Sequence, residues 1–505
     1  MIITERFTDI LVDHPKKIVL SDKNGEYSTQ QIYNATQFLL SEEFAGQSFK
    51  GKRICILCNP GISYVSAILA GWMSGAMVVP MCITHPQAEL QHVIEDAQSS
   101  LIIADADLKK LLPATKVKVI VPDFKEAIKE LTPANYTTPL PTDPAMMLYT
   151  SGTTGKPKGV VHTHASLTAQ IECLMEAWKW TEDDRILHFL PLHHTHGIIN
   201  KWLCALWSGA RCDMMQKFDA KEVLDKIAKE NFTLFMAVPT VYVKMIEGLS
   251  ILSTPENSMQ VATLSIEATR PDTLPWTNFR LMISGSAALP VSVLEKWKEL
   301  TGHFLLERYG MTETGMVLSN PLEGERRAGM VGQALPGMQV RLVNESGEVV
   351  PEEGELQVKG KNLFNGYWNK QDETKKSFTK DGWFKTGDLV RVTGGYYQIV
   401  GRLSTDIIKS GGYKISALEI ESVILQHPGV KECAVVGIAD ETWGEKIGAA
   451  VIWKNEPVSI DELRAWLSSQ LAAYKLPSLL VNSDALPRNA MGKLVKSEVK
   501  SLFVK

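Results

Sequence analysis

Arg53-Ile-Cys-Ile-Leu57, Ala76-Met-Val-Val-Pro80, Leu101-Ile-Ile-Ala104 and Val117-Lys-Val-Ile-Val121 are short apolar runs set apart by helix-length amphipathic stretches. Runs of this kind predict parallel strands joined by crossover helices, hence an α/β protein. The pattern recurs from about 183 to 310, where Leu234-Phe-Met-Ala-Val238 and Phe279-Arg-Leu-Met-Ile283 predict further buried strands. Two successive α/β subdomains are expected.

From 335 to 400 the texture changes to short alternating segments punctuated by glycine, such as Gln339-Val-Arg-Leu-Val343, Gly354-Glu-Leu-Gln-Val358 and Tyr396-Tyr-Gln-Ile-Val400. Alternation of this kind predicts an antiparallel, β-barrel-like subdomain. The polar stretch Gly401-Arg-Leu-Ser-Thr-Asp406 then precedes a last segment with its own α+β pattern. A large N-terminal domain over 1–401 and a small C-terminal domain over 402–505 are expected. In the latter, Ser416 opens an apolar-periodic helix.

A chain of 505 residues, 22% charged and 45% hydrophobic, has the composition of a multidomain globular protein. Its net charge of -4 supplies no bulk positive field of the kind non-specific nucleic-acid binders use. No nucleic-acid partner is expected, and oligomeric state is not readable. Seven cysteines are scattered through the chain, and the one close pair, Cys55 and Cys58, sits in an apolar run without a second pair or a neighbouring histidine. Both read as buried strand residues in a reducing compartment. The N-terminus lacks signal and transit patterns and no apolar stretch is long enough to cross a bilayer, so a cytoplasmic protein is expected, or a mitochondrial one already trimmed.

The chemistry is concentrated in Leu148-Tyr-Thr-Ser-Gly-Thr-Thr-Gly-Lys-Pro-Lys-Gly159. Hydroxyls, glycines and two lysines follow an apolar run, so backbone amides, side-chain donors and positive charge can converge on phosphate oxygens. It is not the loop of kinases and GTPases, because Gly152 and Gly155 are too close together and Pro157 stands where Ser or Thr would hold magnesium. A mobile surface turn is the alternative reading of the same residues.

This segment resembles the phosphate loop of the adenylate-forming superfamily of acyl-CoA synthetases, peptide-synthetase adenylation domains and luciferases. Other stations of that family follow in order over nearly the whole chain. Leu190-Pro-Leu-His-His-Thr-His-Gly197 is similar to the segment bordering the acyl pocket, Ser284-Gly-Ser-Ala287 and Glu307-Arg-Tyr-Gly-Met-Thr-Glu-Thr314 to the adenine-binding pair, Gly382-Trp-Phe-Lys-Thr-Gly-Asp388 to the ribose-binding segment, and Leu486-Pro-Arg-Asn-Ala-Met-Gly-Lys493 to the catalytic-lysine loop.

The resemblance implies ATP, Mg2+ and coenzyme A as cofactors. It places Thr150, Ser151, Gly152, Thr153, Thr154, Gly155, Lys156 and Lys158 around the phosphates, and Gly285, Ser286, Ala287, Glu307, Arg308, Tyr309, Gly310 and Met311 around the base. Tyr309 would stack on adenine, Thr312 contact the α-phosphate, Glu313 hold the magnesium ion, Asp388 and Arg402 bind ribose, and Lys493 bridge carboxylate and phosphate. A carboxylate attacking an α-phosphate brings two anions together, which is why a metal and cations are required. His194 is the further catalytic candidate, and Ser410, Gly411, Gly412 and Tyr413 are the expected coenzyme A contacts after the small domain rotates about a hinge at Ser404.

Within the superfamily the acyl-site segments look most like those of malonyl-CoA synthetases. Arg308, immediately before Tyr309, would pair a second carboxylate, with Lys244, His196, Ser286 and Met316 as further substrate contacts. Malonate is the expected substrate, with methylmalonate tolerated because one added methyl is rejected only weakly. If Arg308 instead forms a structural salt bridge with Glu307 or Glu313, the substrate is a short, medium-chain or aryl monocarboxylate. An enzyme passing its adenylate to oxygen or to a carrier-protein thiol, and a non-catalytic binding protein, are the readings from other classes.

Overall fold

The computed structural model describes residues 1–124, 128, 138–150, 157–252, 275–488 and 494–503. The first apolar runs pair as expected. Arg53–Leu57 lies between Met77–Pro80 and Leu101–Ala104, parallel to both, with Ile54 opposite Val78 and Leu101. They are the centre of a seven-stranded sheet that continues through Val119–Ile120 on one side and through Pro144–Thr150, Lys158–Thr163 and Gly366–Tyr367 on the other.

The second α/β unit is a nine-stranded sheet. Its parallel centre, Leu281–Ser284, Leu234–Ala237, Arg185–His188 and Arg211–Met214, is extended by Leu306–Met311, Gly315–Ser319 and Gln333–Ala334 at one edge. At the other edge stands a hairpin from the extreme N-terminal region, Ile18–Asp22 and Gly25–Ser28, with Leu20 parallel to Cys212. The helix Ile62–Met73 is apolar all round and buried except at Ser63, as expected of a helix enclosed in a core rather than lying on its surface. Cys55 and Cys58 are buried, and none of the seven cysteines is in a disulfide.

The glycine-punctuated region forms a five-stranded antiparallel sheet, in the order Val349–Val350, Gln339–Val343, Glu353–Lys359, Phe384–Thr393 and Tyr396–Arg402. The last of these strands ends at Arg402, and a hydrogen-bonded turn leads directly into the C-terminal sheet, which begins at Ile407. That sheet carries its own core, in which Ile408, Ile415, Ile420, Val435 and Ala449 are buried together. Its helix Ala417–Ile424 starts where expected, with Ser416 Oγ accepting from the Glu419 amide at 3.1 Å. Among the described residues no helix is long and apolar enough to cross a membrane.

Candidate active site

The strand Leu306–Met311 and its antiparallel neighbour Gly315–Ser319 carry most of the expected site residues, and strand pleating sends successive side chains to opposite faces. Tyr309 reaches the five-stranded sheet, where its hydroxyl donates to Asp388 Oδ2. Asp388 stands opposite Arg402 in the ladder, and Arg402 Nε lies 2.9 Å from Asp388 Oδ1. Three residues expected at the nucleotide thus meet, Tyr309 from one sheet and Asp388 and Arg402 from neighbouring strands of another. Burial pushes the Asp388 carboxyl up, and the Arg402 charge opposes this.

Thr312 and Glu313 occupy the turn after the strand. His162 lies fully buried beneath, and burial pulls its imidazole down to about 4, so it is neutral. In that form Nε2 donates to the Thr312 carbonyl at 2.9 Å while Nδ1 accepts from Gln170 Nε2 at 3.3 Å. This fixes the backbone on which Thr312 and Glu313 are presented.

The Glu313 carboxylate is buried, accepts the Tyr367 hydroxyl at 2.9 Å, and has no ion-pair partner among the described residues. Burial raises it. A buried carboxylate with no paired cation suits a hard divalent ion, so Glu313 fits the magnesium role expected of it.

Arg308 points away from Tyr309 and is 4% exposed. Its Nη2 donates to Ser286 Oγ at 3.3 Å, Ser286 Oγ lies 3.1 Å from His196 Nδ1, and Arg308 Nε has no hydrogen-bond partner among the described residues. The structural salt bridge is absent: Glu307 turns instead to accept the Gly329 amide at 2.8 Å, and Glu313 turns to Tyr367. Burial lowers the guanidinium to about 10, so it remains charged at neutral pH. Ser286 holds this cluster at φ +71, a left-handed conformation rare outside glycine.

Other candidates fall around this core. Met316 is buried and packs over Gly310, its Cε 2.6 Å from where a Cβ would stand. The half-buried His194 has its ring 3.9 Å from that of His193. Ala287 and Lys244 are exposed, and none of the described contacts joins Lys244 to Arg308, Ser286 or His196.

Thr150 and Lys158 pair across the antiparallel strands Pro144–Thr150 and Lys158–Thr163. Ser151, Gly152, Thr153, Thr154, Gly155 and Lys156 lie outside the described residues, as does Lys493. Lys158 forms an ion pair with Glu373 and sits 5.6 Å above the Tyr367 ring. Ser410 and Tyr413 flank a two-residue hairpin turn at Gly411 and Gly412, whose φ values of +56 and +83 are those of a type I′ turn. Tyr413 stacks on Tyr474 at 4.4 Å, and the Gly411 amide donates to the Trp443 carbonyl at 2.9 Å.

Sequence reasoning missed His162, Tyr367 and Glu373. Tyr367 reaches the site only because Gly366–Tyr367 pairs with Lys158–Thr163, and nothing in its local sequence signals that pairing.

A tyrosine and an arginine meeting one aspartate, a buried carboxylate without an ion-pair partner among the described residues, and a buried arginine beside Ser286 fit an enzyme that activates carboxylates as adenylates. The chain belongs to the AMP-binding enzyme family: the profile of that description matches residues 13–368, and that of the AMP-binding enzyme C-terminal domain matches 419–493. It is 43% identical over 526 residues to the mitochondrial malonate–CoA ligase of Homo sapiens, covering 95% of this chain and 89% of that one. ATP-bound MatB from Rhodopseudomonas palustris, 31% identical, superposes with a TM-score of 0.86 over 100% of this chain and 99% of its own. The apo form of MatB, with the same identity and coverage, gives a TM-score of 0.76.

Proposed function

We propose that the protein is an AMP-forming malonate–CoA ligase. One malonate carboxylate oxygen attacks the α-phosphorus of ATP and pyrophosphate leaves. The thiol of coenzyme A then attacks the acyl carbonyl of the adenylate, giving malonyl-CoA and AMP. Methylmalonate enters the same pocket.

The observation that carries the substrate is Arg308, a buried arginine with no carboxylate partner among the described residues. Burying an unpaired charge costs several kcal/mol, and the distal carboxylate of malonate is a counter-ion that a fatty or aryl acid lacks. Ser286 and His196 complete the anchor, with Lys244 at the pocket's margin and His194 and Met316 bordering the acyl group. Glu307, Tyr309, Gly310 and Met311 border the base, Asp388 and Arg402 receive ribose, Thr312 and the 150–158 loop receive the phosphates, and Lys493 bridges the reacting carboxylate and phosphate. Glu313 would hold magnesium, which when bound screens the phosphate charge. Residues 1–401 and 402–505 act as the two domains, with Ser410–Tyr413 meeting coenzyme A after the smaller one turns. Seven free, buried cysteines fit a reducing compartment, cytosolic or mitochondrial.

The test is coenzyme A-dependent AMP and acyl-CoA formation with malonate, methylmalonate, acetate, octanoate and coumarate, in wild type and Arg308→Ala. Wild type should prefer malonate, and the variant should lose roughly 10²–10³-fold in kcat/KM for malonate, the effect of breaking a buried charge pair. Equal turnover of octanoate or coumarate by wild type would overturn the substrate and leave the adenylating chemistry standing.

A further inference from the structure

Cys82 and His85 follow the carboxyl end of the strand Met77–Pro80, and His193 follows that of Arg185–His188 in the other large sheet. The fold brings these two strand ends together. One ligand atom each from Cys82, His85 and His193 lies within 4.8 Å of the other two. We propose that Cys82, His85 and His193 form a binding site for a borderline-soft divalent cation of the zinc class.

Three features support this. Donor atoms around a tetrahedral ion stand roughly 3.3–3.8 Å apart, so the observed triangle needs to contract by only about 1 Å. His193 is 9% exposed and its Nε2 has no hydrogen-bond partner among the described residues, a cost that a metal bond would remove. Glu89 Oε2 lies 3.2 Å from His85 Nδ1, and a carboxylate on one ring nitrogen fixes the tautomer that leaves the other as a lone pair.

One thiolate and two imidazoles select zinc or cobalt over magnesium or calcium, which favour oxygen ligands. Three protein ligands leave a fourth coordination place for water. An ion held here would also fix the segment Leu190–Gly197, because the His193 ring packs against that of His194.

The experiment titrates the metal-free full-length protein with Co2+ and records near-ultraviolet thiolate-to-cobalt charge transfer and visible d–d absorption. Wild type should take up one equivalent with both signals, released mole for mole by Zn2+. Cys82→Ser should lose the charge-transfer band, and His85→Gln, at a partly exposed position, should weaken binding at least tenfold with its melting temperature unchanged. Cys212→Ser, which removes a buried thiol elsewhere, should behave as wild type. No charge-transfer band at one equivalent, or the same band in Cys82→Ser, would overturn the site.

Discussion

Arg308 occupies the space that a side chain on Gly285 would fill: a Cβ built at Gly285 would stand 2.6 Å from Arg308 Cζ. The glycine leaves the guanidinium room to lie flat beside Ser286, and a methyl group there would force it aside. Gly285→Ala should therefore raise KM for malonate roughly 10- to 100-fold, the range for overpacking a dense site. KM for ATP should change less. Steady-state kinetics with each substrate varied would show it, and a change confined to ATP would give Gly285 to the nucleotide alone.

Glu307 provides a pH signature. Burial pushes its carboxyl up to about 8, with the Gly329 amide only partly opposing. Because the folded value lies above the unfolded one, the stabilisation is complete below the ordinary glutamate range and is lost as pH rises through about 8. Melting temperatures between pH 5 and 9 should fall more steeply for wild type than for Glu307→Gln, which cannot ionise. Parallel curves would place the ionisation of Glu307 outside this window.

The parallel strands were legible because fully buried strands are written as unbroken apolar runs, as in Arg53–Leu57 and Leu101–Ala104. What pairs with what was not. Ile18–Asp22 joins Arg211–Met214, and no local periodicity specifies so distant a neighbour. The same limit governed the site. Asp388 and Arg402 stood in motifs, whereas the bonds of Tyr367 to Glu313 and of His162 to Thr312 exist only once the sheets are assembled. The pair in Cys82-Ile-Thr-His85 is local, but its third partner, His193, belongs to the other large sheet and joins it only on assembly.

Lys496 is buried between two carboxylates, 2.7 Å from Glu421 Oε1 and 3.1 Å from Asp406 Oδ1. Burial alone would lower its ammonium, but the two carboxylates outweigh this and raise it. Lys496→Met would leave both acids without their cation, a change that costs about 3–5 kcal/mol when a buried pair is broken. The C-terminal sheet should then lose amide-exchange protection while the two large sheets keep theirs. Uniform loss would mean that the whole chain unfolds as one unit.

The same contacts bear on where the proposed small domain would turn against the large one. The Leu403 amide donates to the Gly387 carbonyl at 2.9 Å, tying it to the five-stranded sheet. Asp406 is tied the other way, by Lys496 and by the Ala417 amide, which donates to its carbonyl at 2.8 Å. A rotation that preserves both attachments must be absorbed between them, where Ser404 lies. It must also release the bonds that close the turn, from the Asp406 amide to the Arg402 carbonyl at 2.8 Å and from the Arg402 amide to Asp406 Oδ2 at 3.0 Å, together with the bond from Ser416 Oγ to the Val400 carbonyl at 2.5 Å and the Lys414–Glu345 ion pair at 2.6 Å. A proline fixes φ near −65° and so removes freedom at one residue. Ser404→Pro should keep malonate-dependent pyrophosphate–ATP exchange within about threefold while slowing malonyl-CoA release at least tenfold, as expected when a conformational step limits turnover. Equal loss in both assays would assign Ser404 to adenylation itself, and no loss in either would move the pivot to a neighbouring residue of the turn.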